Sequence, residues 1–156
     1  LTLGETLKNL SCSIPLSLLS SIIFYYTHRI LHTKYLYGIV HKQHHLYNHP
    51  SSFVGLYTSL PEYIFSNCTS FFIPHLIMRS HPYFILGYNF IGLCDVFINH
   101  TSYSFNNNIL DTLFGGSYFH YIHHAKFKYN YGLNNKLLDR LHDTCDSTNV
   151  SNNEVY

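Results

Sequence analysis

The sequence predicts an all-α protein, a membrane-embedded helical bundle with a histidine-rich cap on its cytosolic side. Three observations predict it. Charged residues make up 11% of the 156, less than half of the roughly 25% of an ordinary soluble domain. Apolar stretches recur at 14–26, 53–78 and 83–98. The polar segments that follow the first and third stretches concentrate most of the 13 histidines at spacings of three and four, which bring side chains together on a helix. A chain of this length holds one domain, taken as 1–146, and the polar, aperiodic residues 147–156 are expected to be a disordered tail.

The elements follow in order. The chain starts at Leu1 rather than Met, and no basic segment precedes an apolar one, so it is read as a fragment lacking its N-terminus. Residues 14–26 (IPLSLLSSIIFYY) form most of a spanning helix together with the preceding turn, though alone they fall short of the ~20 residues usually needed. Residues 28–50 are polar, basic and rich in histidine. From Phe53 to Met78 the chain is apolar again, broken by Pro61, Glu62 and Pro74, and Arg79-Ser80-His81-Pro82 reads as a hairpin tip. Tyr83 to Ile98 returns, ending at Asn99 and His100, and Gly115-Gly116 marks a turn before the last histidine cluster. A hairpin of the second and third stretches puts residues 28–45 and 100–124 on one membrane face. Arg29, Lys34, Lys42, Lys126, Lys128, Lys136 and Arg140 fall on that face, and only Lys8 and Arg79 elsewhere, which makes it cytoplasmic by the positive-inside tendency.

Several functions are excluded early. A net charge of +1 gives no electrostatic footprint for nucleic acid. Cys12, Cys68, Cys94 and Cys145 form no C-x-x-C pair and read as reduced thiols of a non-secreted protein. None of Glu5, Glu62 and Glu154 is followed by His three residues later, which argues against a carboxylate-bridged di-iron bundle. No H-E-x-x-H, Gly-rich phosphate loop or G-x-S-x-G is present, so hydrolysis and phosphoryl transfer have no support.

Three histidine clusters remain: His28 and His32 in THRILH, then His41, His44 and His45 in HKQHH, then His120, His123 and His124 in HYIHH. Random placement of the histidines would give about 0.09 matches to H-x-x-H-H, and two occur, so chance is set aside. Neutral imidazole ligates iron, zinc and copper. Eight imidazoles exceed what one tetrahedral zinc uses, and two metals sharing them is the economical reading. His100, at the end of the third apolar stretch, is a ninth candidate. His49, His75, His81 and His142 read as surface, tip or interface residues. A histidine-rich membrane protein that binds or transports metal without catalysis stays open as the alternative, although a transporter should place its ligands near mid-membrane.

In their order, and with an apolar hairpin between the second and third, HRILH, HKQHH and HYIHH resemble the fatty acid hydroxylase/sterol desaturase superfamily. FGGSYFHYIHH, the following Asn130-Tyr131-Gly132, NHTSYSF around His100, and LLDRLHDT with Asp139 and Arg140 are similar to further segments of that family, and the likeness covers about residues 20–145. The chain departs from it in YTSLPE, where Ser59 stands in place of a family histidine and Glu62 is kept. Leu138 replaces a Trp, and His142-Asp143 a Phe-Gly. A relative that keeps the fold without activity is a third reading that these departures leave open.

The resemblance implies an oxidoreductase that hydroxylates or desaturates a lipid, a sterol first and a fatty acyl chain or sphingolipid next, in lipid biosynthesis. It implies two non-haem irons, dioxygen as co-substrate, and electrons from a small haem protein or an NAD(P)H-dependent reductase. His28, His32, His41, His44, His45, His120, His123 and His124 are then the catalytic metal ligands, joined by His100. The membrane is that of the endoplasmic reticulum in a eukaryote. Ligating histidines donate their second N–H to a carboxylate or carbonyl, and Glu62, Asp95, Asp111 and Asp139 are the candidate acceptors.

Overall fold

The computed structural model describes residues 2–101, 116–133 and 136–146. Expectations that rest on Asp111, Gly115, the residues just after Thr101 and the tail from residue 147 lie outside the described residues. Those described form helices and turns without strands, as the apolar stretches and histidine spacings predict.

Capping residues set where the helices begin. Thr2 opens α1 (Leu3–Ser11), its hydroxyl accepting from the Glu5 N–H while the Glu5 carboxylate accepts from the Thr2 N–H. Helix α2 (Ser13–Leu31) follows after a 44° bend at Cys12. Ser59 caps α3 (Leu60–Glu62), which has Pro61 in its first turn. A π-helical turn, Tyr63–Cys68, leads on into α4 (Thr69–Met78). Arg79, left-handed at φ 49°, ends α4, and His81 with Pro82 starts α5 (Pro82–Asn99). The expected hairpin and its tip are therefore formed. Helix α6 (Ser117–Lys126) stops at Phe127, φ 63°, and α7 (Leu137–Leu141) closes the described chain.

Packing is close where side chains are small or missing. Helix α2 lies along α4. Pro74, inside α4, has no N–H for the Ser70 carbonyl one turn back. The Ser20 hydroxyl of α2 donates to that carbonyl at 2.8 Å, so the proline's deficit becomes an interhelical bond. A Cβ on Gly92 would stand 2.9 Å from the Phe71 ring, so the glycine sets how near α5 comes to α4.

Inside and outside are inverted relative to a protein built for water. Ile22 and Ile30 of α2, Leu76 and Ile77 of α4, and Leu86 and Phe90 of α5 are exposed, whereas the buried set among the described residues contains more polar and charged side chains than apolar ones. No single described helix is long and apolar enough to cross a membrane. The bent pair α1 and α2 meets that test by length and composition.

Candidate metal centre

Five segments bring the histidines together. His28 sits in the last turn of α2 and His32 caps its C-terminus. His41 ends a π-helical turn, Tyr37–His41, and His44 and His45 follow in a short 3-10 turn, His44–Leu46. His100 caps the C-terminus of α5, and α6 carries His120, His123 and His124. The expectation that HKQHH lies on one regular helix face needs correction. The backbone there is partly unwound, with His45 at φ −88°, ψ 15°, because neighbouring imidazoles must point to different places.

All nine predicted ligands converge, in two groups. His28, His32, His41, His45 and His123 form one, His44, His100, His120 and His124 the other, and within each the candidate ligand atoms lie within 4.8 Å of one another. Each H-x-x-H-H motif serves both groups. His41 and His45 enter the first and His44 the second, whereas His120 and His124 enter the second and His123 the first.

The ring nitrogens face inward. In the first group the Nε2 of His41 stands 3.2 Å from that of His28, 2.9 Å from that of His32 and 3.0 Å from that of His45. In the second, His120 Nε2 lies 2.9 Å from His100 Nε2 and 3.2 Å from His124 Nε2. One nitrogen carries one proton or one lone pair, so His41 Nε2 cannot satisfy three such neighbours by hydrogen bonding. His123 Nε2 is buried with no hydrogen-bond partner.

The outer nitrogens explain the orientation. Nδ1–H of His28 donates to the Tyr131 carbonyl at 2.8 Å, that of His123 to the Tyr129 carbonyl at 2.7 Å, and that of His100 to the Val96 carbonyl at 2.8 Å. A carbonyl only accepts, so these rings present an Nε2 lone pair to the centre. His41 Nδ1 lies 2.9 Å from the buried Glu62 carboxylate. Burial, with neighbouring imidazoles adding to it, holds His44, His120, His123 and His124 well below the usual histidine range, and burial takes His100 down to about 4. The imidazoles are therefore neutral, the ligating form. Converging lone pairs, an unpartnered inward nitrogen and an all-nitrogen donor set together fit two divalent metal ions.

The four acids nominated as supports take different places. Glu62 meets His41 directly. Asp139 accepts from the backbone N–H of Tyr131 and of Gly132, each at 2.8 Å, and from the Thr144 hydroxyl at 2.8 Å. It thus fixes the loop whose carbonyl orients His28. Asp95 accepts from the Asn99 side chain at 3.0 Å and lies on a cavity wall. Asp111 is outside the described residues. The Tyr129 and Tyr131 carbonyls are supports that sequence reasoning missed. The Asn130-Tyr131-Gly132 motif was visible, but a backbone acceptor leaves no side-chain signature.

The remaining histidines stand apart from the two groups. His49 bonds the Tyr121 hydroxyl, His75 the Ser80 hydroxyl and His142 the Tyr26 hydroxyl, and the His81 side chain accepts from the Tyr83 N–H as the cap of α5. Ser59 caps α3 and donates to the Val40 carbonyl at 2.7 Å, tying that helix to the turn that carries His41. A cavity of about 30 Å³ touches His28, His41, His44, His100 and His120. It shares Phe24, Asn67, Val96 and Leu133 with a larger one of about 280 Å³ between α2, α4 and α5.

With this geometry in view, comparisons with known proteins become informative. The family model described as fatty acid hydroxylase matches residues 14–144. Human fatty acid hydroxylase domain-containing protein 2 is 32% identical over 82% of this chain and 36% of its own length. The Delta(7)-sterol 5(6)-desaturase of Schizosaccharomyces pombe is 34% identical over 86% of this chain and 44% of its own. For methylsterol monooxygenase 1 of Danio rerio the figures are 30%, 77% and 42%. The chain thus spans less than half the length of these relatives. No solved structure matches it.

Proposed function

Since the chain belongs to the fatty acid hydroxylase family, we propose that it is the catalytic part of a membrane-bound, dioxygen-using oxidoreductase that hydroxylates or desaturates a lipid. One observation carries this reading. Nine imidazoles are sorted into two all-nitrogen groups directly beside a cavity that runs back between apolar helices.

Two non-haem irons, one per group, would supply the redox chemistry that lets dioxygen attack an unactivated C–H bond. The chain's own residues hold and aim. Backbone carbonyls of Val96, Tyr129 and Tyr131 set three of the imidazole rings, and Glu62 abuts His41. Burial of eight of the nine rings excludes water from the place where the hydrogen is removed.

The exposed apolar faces of α2, α4 and α5 support a membrane location, the endoplasmic reticulum in a eukaryote, with the histidine end toward the cytosol. Lipid then enters from the bilayer between these helices. A sterol is the preferred substrate and a fatty acyl chain the next, in keeping with the similarity to a sterol desaturase and a methylsterol monooxygenase. Electrons come from a small haem protein or an NAD(P)H-dependent reductase.

The test is elemental analysis of the full-length protein purified from iron-replete cells, together with lipid profiles of cells with and without it. About two irons per chain and one altered lipid class are expected. One zinc, no iron and an unchanged lipid profile would favour the non-catalytic metal-binding reading instead.

A further inference from the structure

A run of oxidisable rings leads from the first imidazole group to the surface. The Tyr131 ring packs against His32 and His123, with centroids 5.1 and 5.6 Å away. It also meets Tyr25 edge to face at 6.3 Å. Tyr25 is fully buried, lies 5.3 Å from the Tyr26 ring and stacks on His142 at 5.5 Å. Tyr26 is 42% exposed, and its hydroxyl stands 2.9 Å from His142 Nε2. None of these four side chains belongs to the two imidazole groups. His142 is also one of the chain's departures, standing where the family resemblance places a phenylalanine.

The rings beside the histidines are not equivalent. Tyr37 also lies against His32, at 5.7 Å, but continues to Phe127, and a phenyl ring is much harder to oxidise than a phenol. Through Tyr131, Tyr25 and Tyr26 each step is from phenol to phenol. A phenol that loses an electron becomes a strong acid, so proton acceptors decide where the oxidation comes to rest. The Tyr25 hydroxyl accepts from the Arg29 guanidinium at 3.2 Å, and that cation disfavours positive charge on the ring. Neutral His142 with its proton on Nδ1 instead accepts from the Tyr26 hydroxyl and is a base for its proton. An oxidation that enters at Tyr131 therefore settles on Tyr26, at the surface.

We propose that Tyr131, Tyr25 and the Tyr26–His142 pair form a protective relay, which draws an oxidising equivalent away from the imidazole groups when dioxygen reacts without a lipid in place. One electron moves from Tyr26 through Tyr25 and Tyr131 to the metal-bearing site. The Tyr26 O–H bond breaks, its proton passes to His142 Nε2, and a neutral tyrosyl radical remains. A soluble thiolate then supplies one electron, ending as a thiyl radical, and the His142 imidazolium returns the proton. The ligand rings are spared oxidation. This rests on the oxidoreductase reading and adds a second function beside it, one in which no lipid carbon takes part.

Electron paramagnetic resonance of the iron-loaded, detergent-solubilised full-length protein tests this. The reduced protein is mixed with dioxygen in the absence of lipid and frozen. A tyrosyl signal is expected, which narrows when ring-deuterated tyrosine is incorporated. Tyr26→Phe should lose it, and so should Tyr131→Phe, which keeps the backbone carbonyl that orients His28. A hydrogen bond to a charged group is worth about a tenfold to hundredfold change in an equilibrium, so His142→Phe should lower the signal about tenfold or more. Each variant should keep its iron yet inactivate severalfold sooner without lipid, with oxidised histidine found by mass spectrometry. If Tyr26→Phe loses its iron or fails to fold, His142→Gln decides, since it accepts the hydrogen bond but cannot take the proton and should lower the signal as His142→Phe does. Dioxygen consumed with no tyrosyl signal, or a signal unchanged by these substitutions, overturns the relay and leaves the oxidoreductase reading standing. No dioxygen consumption by the iron-loaded protein overturns that reading, and the relay with it.

Discussion

His44 and His45 are neighbours in the chain but belong to different imidazole groups. His44 Nε2 faces His100 Nε2 at 3.4 Å, whereas His45 Nε2 faces His41 Nε2 at 3.0 Å. Successive side chains on a helix diverge by about 100°, and the non-helical backbone at His45 lets the two rings serve adjacent centres. The pair thus divides one sequence cluster between the two imidazole groups.

Metal loss should follow the groups rather than the motifs. His45→Ala removes a first-group ring and His44→Ala a second-group ring, so each should lower bound iron from about two toward one. Combining His44→Ala with His120→Ala, both in the second group, should lose little more than either alone. Combining His44→Ala with His45→Ala should abolish binding. Elemental analysis of the purified variants checks this, and equal losses in both double variants would refute the partition.

Gly55 should be intolerant of any side chain. A Cβ there would lie 2.7 Å from Val96 Cγ1 and 2.8 Å from His100 Nδ1, closer than packed atoms allow, so His100 must move. Gly55→Ala should weaken metal retention in the second group and reduce turnover at least tenfold. Gly87→Ala, where nothing lies within 4 Å, should leave both intact and stabilise α5 by roughly 0.5–1 kcal/mol. Iron content and thermal unfolding in detergent compare the two.

Asp139 acts on the first group through the backbone. Asp139→Ala leaves the buried N–H groups of Tyr131 and Gly132 without their acceptor, at a cost of about 1–3 kcal/mol each. It also frees the carbonyl that orients His28. The expected result is a lower Tm together with faster iron loss from the first group. Asp139→Asn, with one acceptor oxygen, should recover part of both. A drop in Tm with iron retention unchanged would confine Asp139 to a stabilising role.

Ser20 and Pro74 should be energetically coupled. Ser20→Ala removes the donor to the Ser70 carbonyl, at about 1–3 kcal/mol for a buried acceptor left unpaired. In a Pro74→Ala background the N–H of residue 74 is available to that carbonyl, so Ser20→Ala should cost much less. A double-mutant cycle on unfolding free energy measures the difference, and additive effects would show that the Ser20 bond does not compensate for the missing N–H of Pro74.

The two ends of the hairpin should face opposite sides of a membrane. Cysteine reporters at Lys42 and Lys126, in a background without the native cysteines, should label from the cytoplasmic side, and one at Ser80 should not. Labelling of positions 42 and 126 from opposite sides would contradict both the orientation and the shared histidine face.

What the sequence determined by itself is which nine histidines gather, the helical class and the hairpin tip. Each has a local cause: spacing at three and four residues for eight of the histidines, the end of the third apolar stretch for His100, runs of apolar side chains for the helices, and Arg79-Ser80-His81-Pro82 interrupting them. Glu62 was legible as one of four nominated acids, but not its partner His41. Only the tertiary structure decided how the histidines divide, since His41, His44 and His45 read as one cluster and are shared between two centres. It also decided that Asp139 acts through the Tyr131 carbonyl and that Asp95 belongs to the cavity. The physical reason is the same in each case. A motif records which donors a segment carries, but where their lone pairs meet depends on elements far apart in the chain, such as His28 with Tyr131 and His44 with His100.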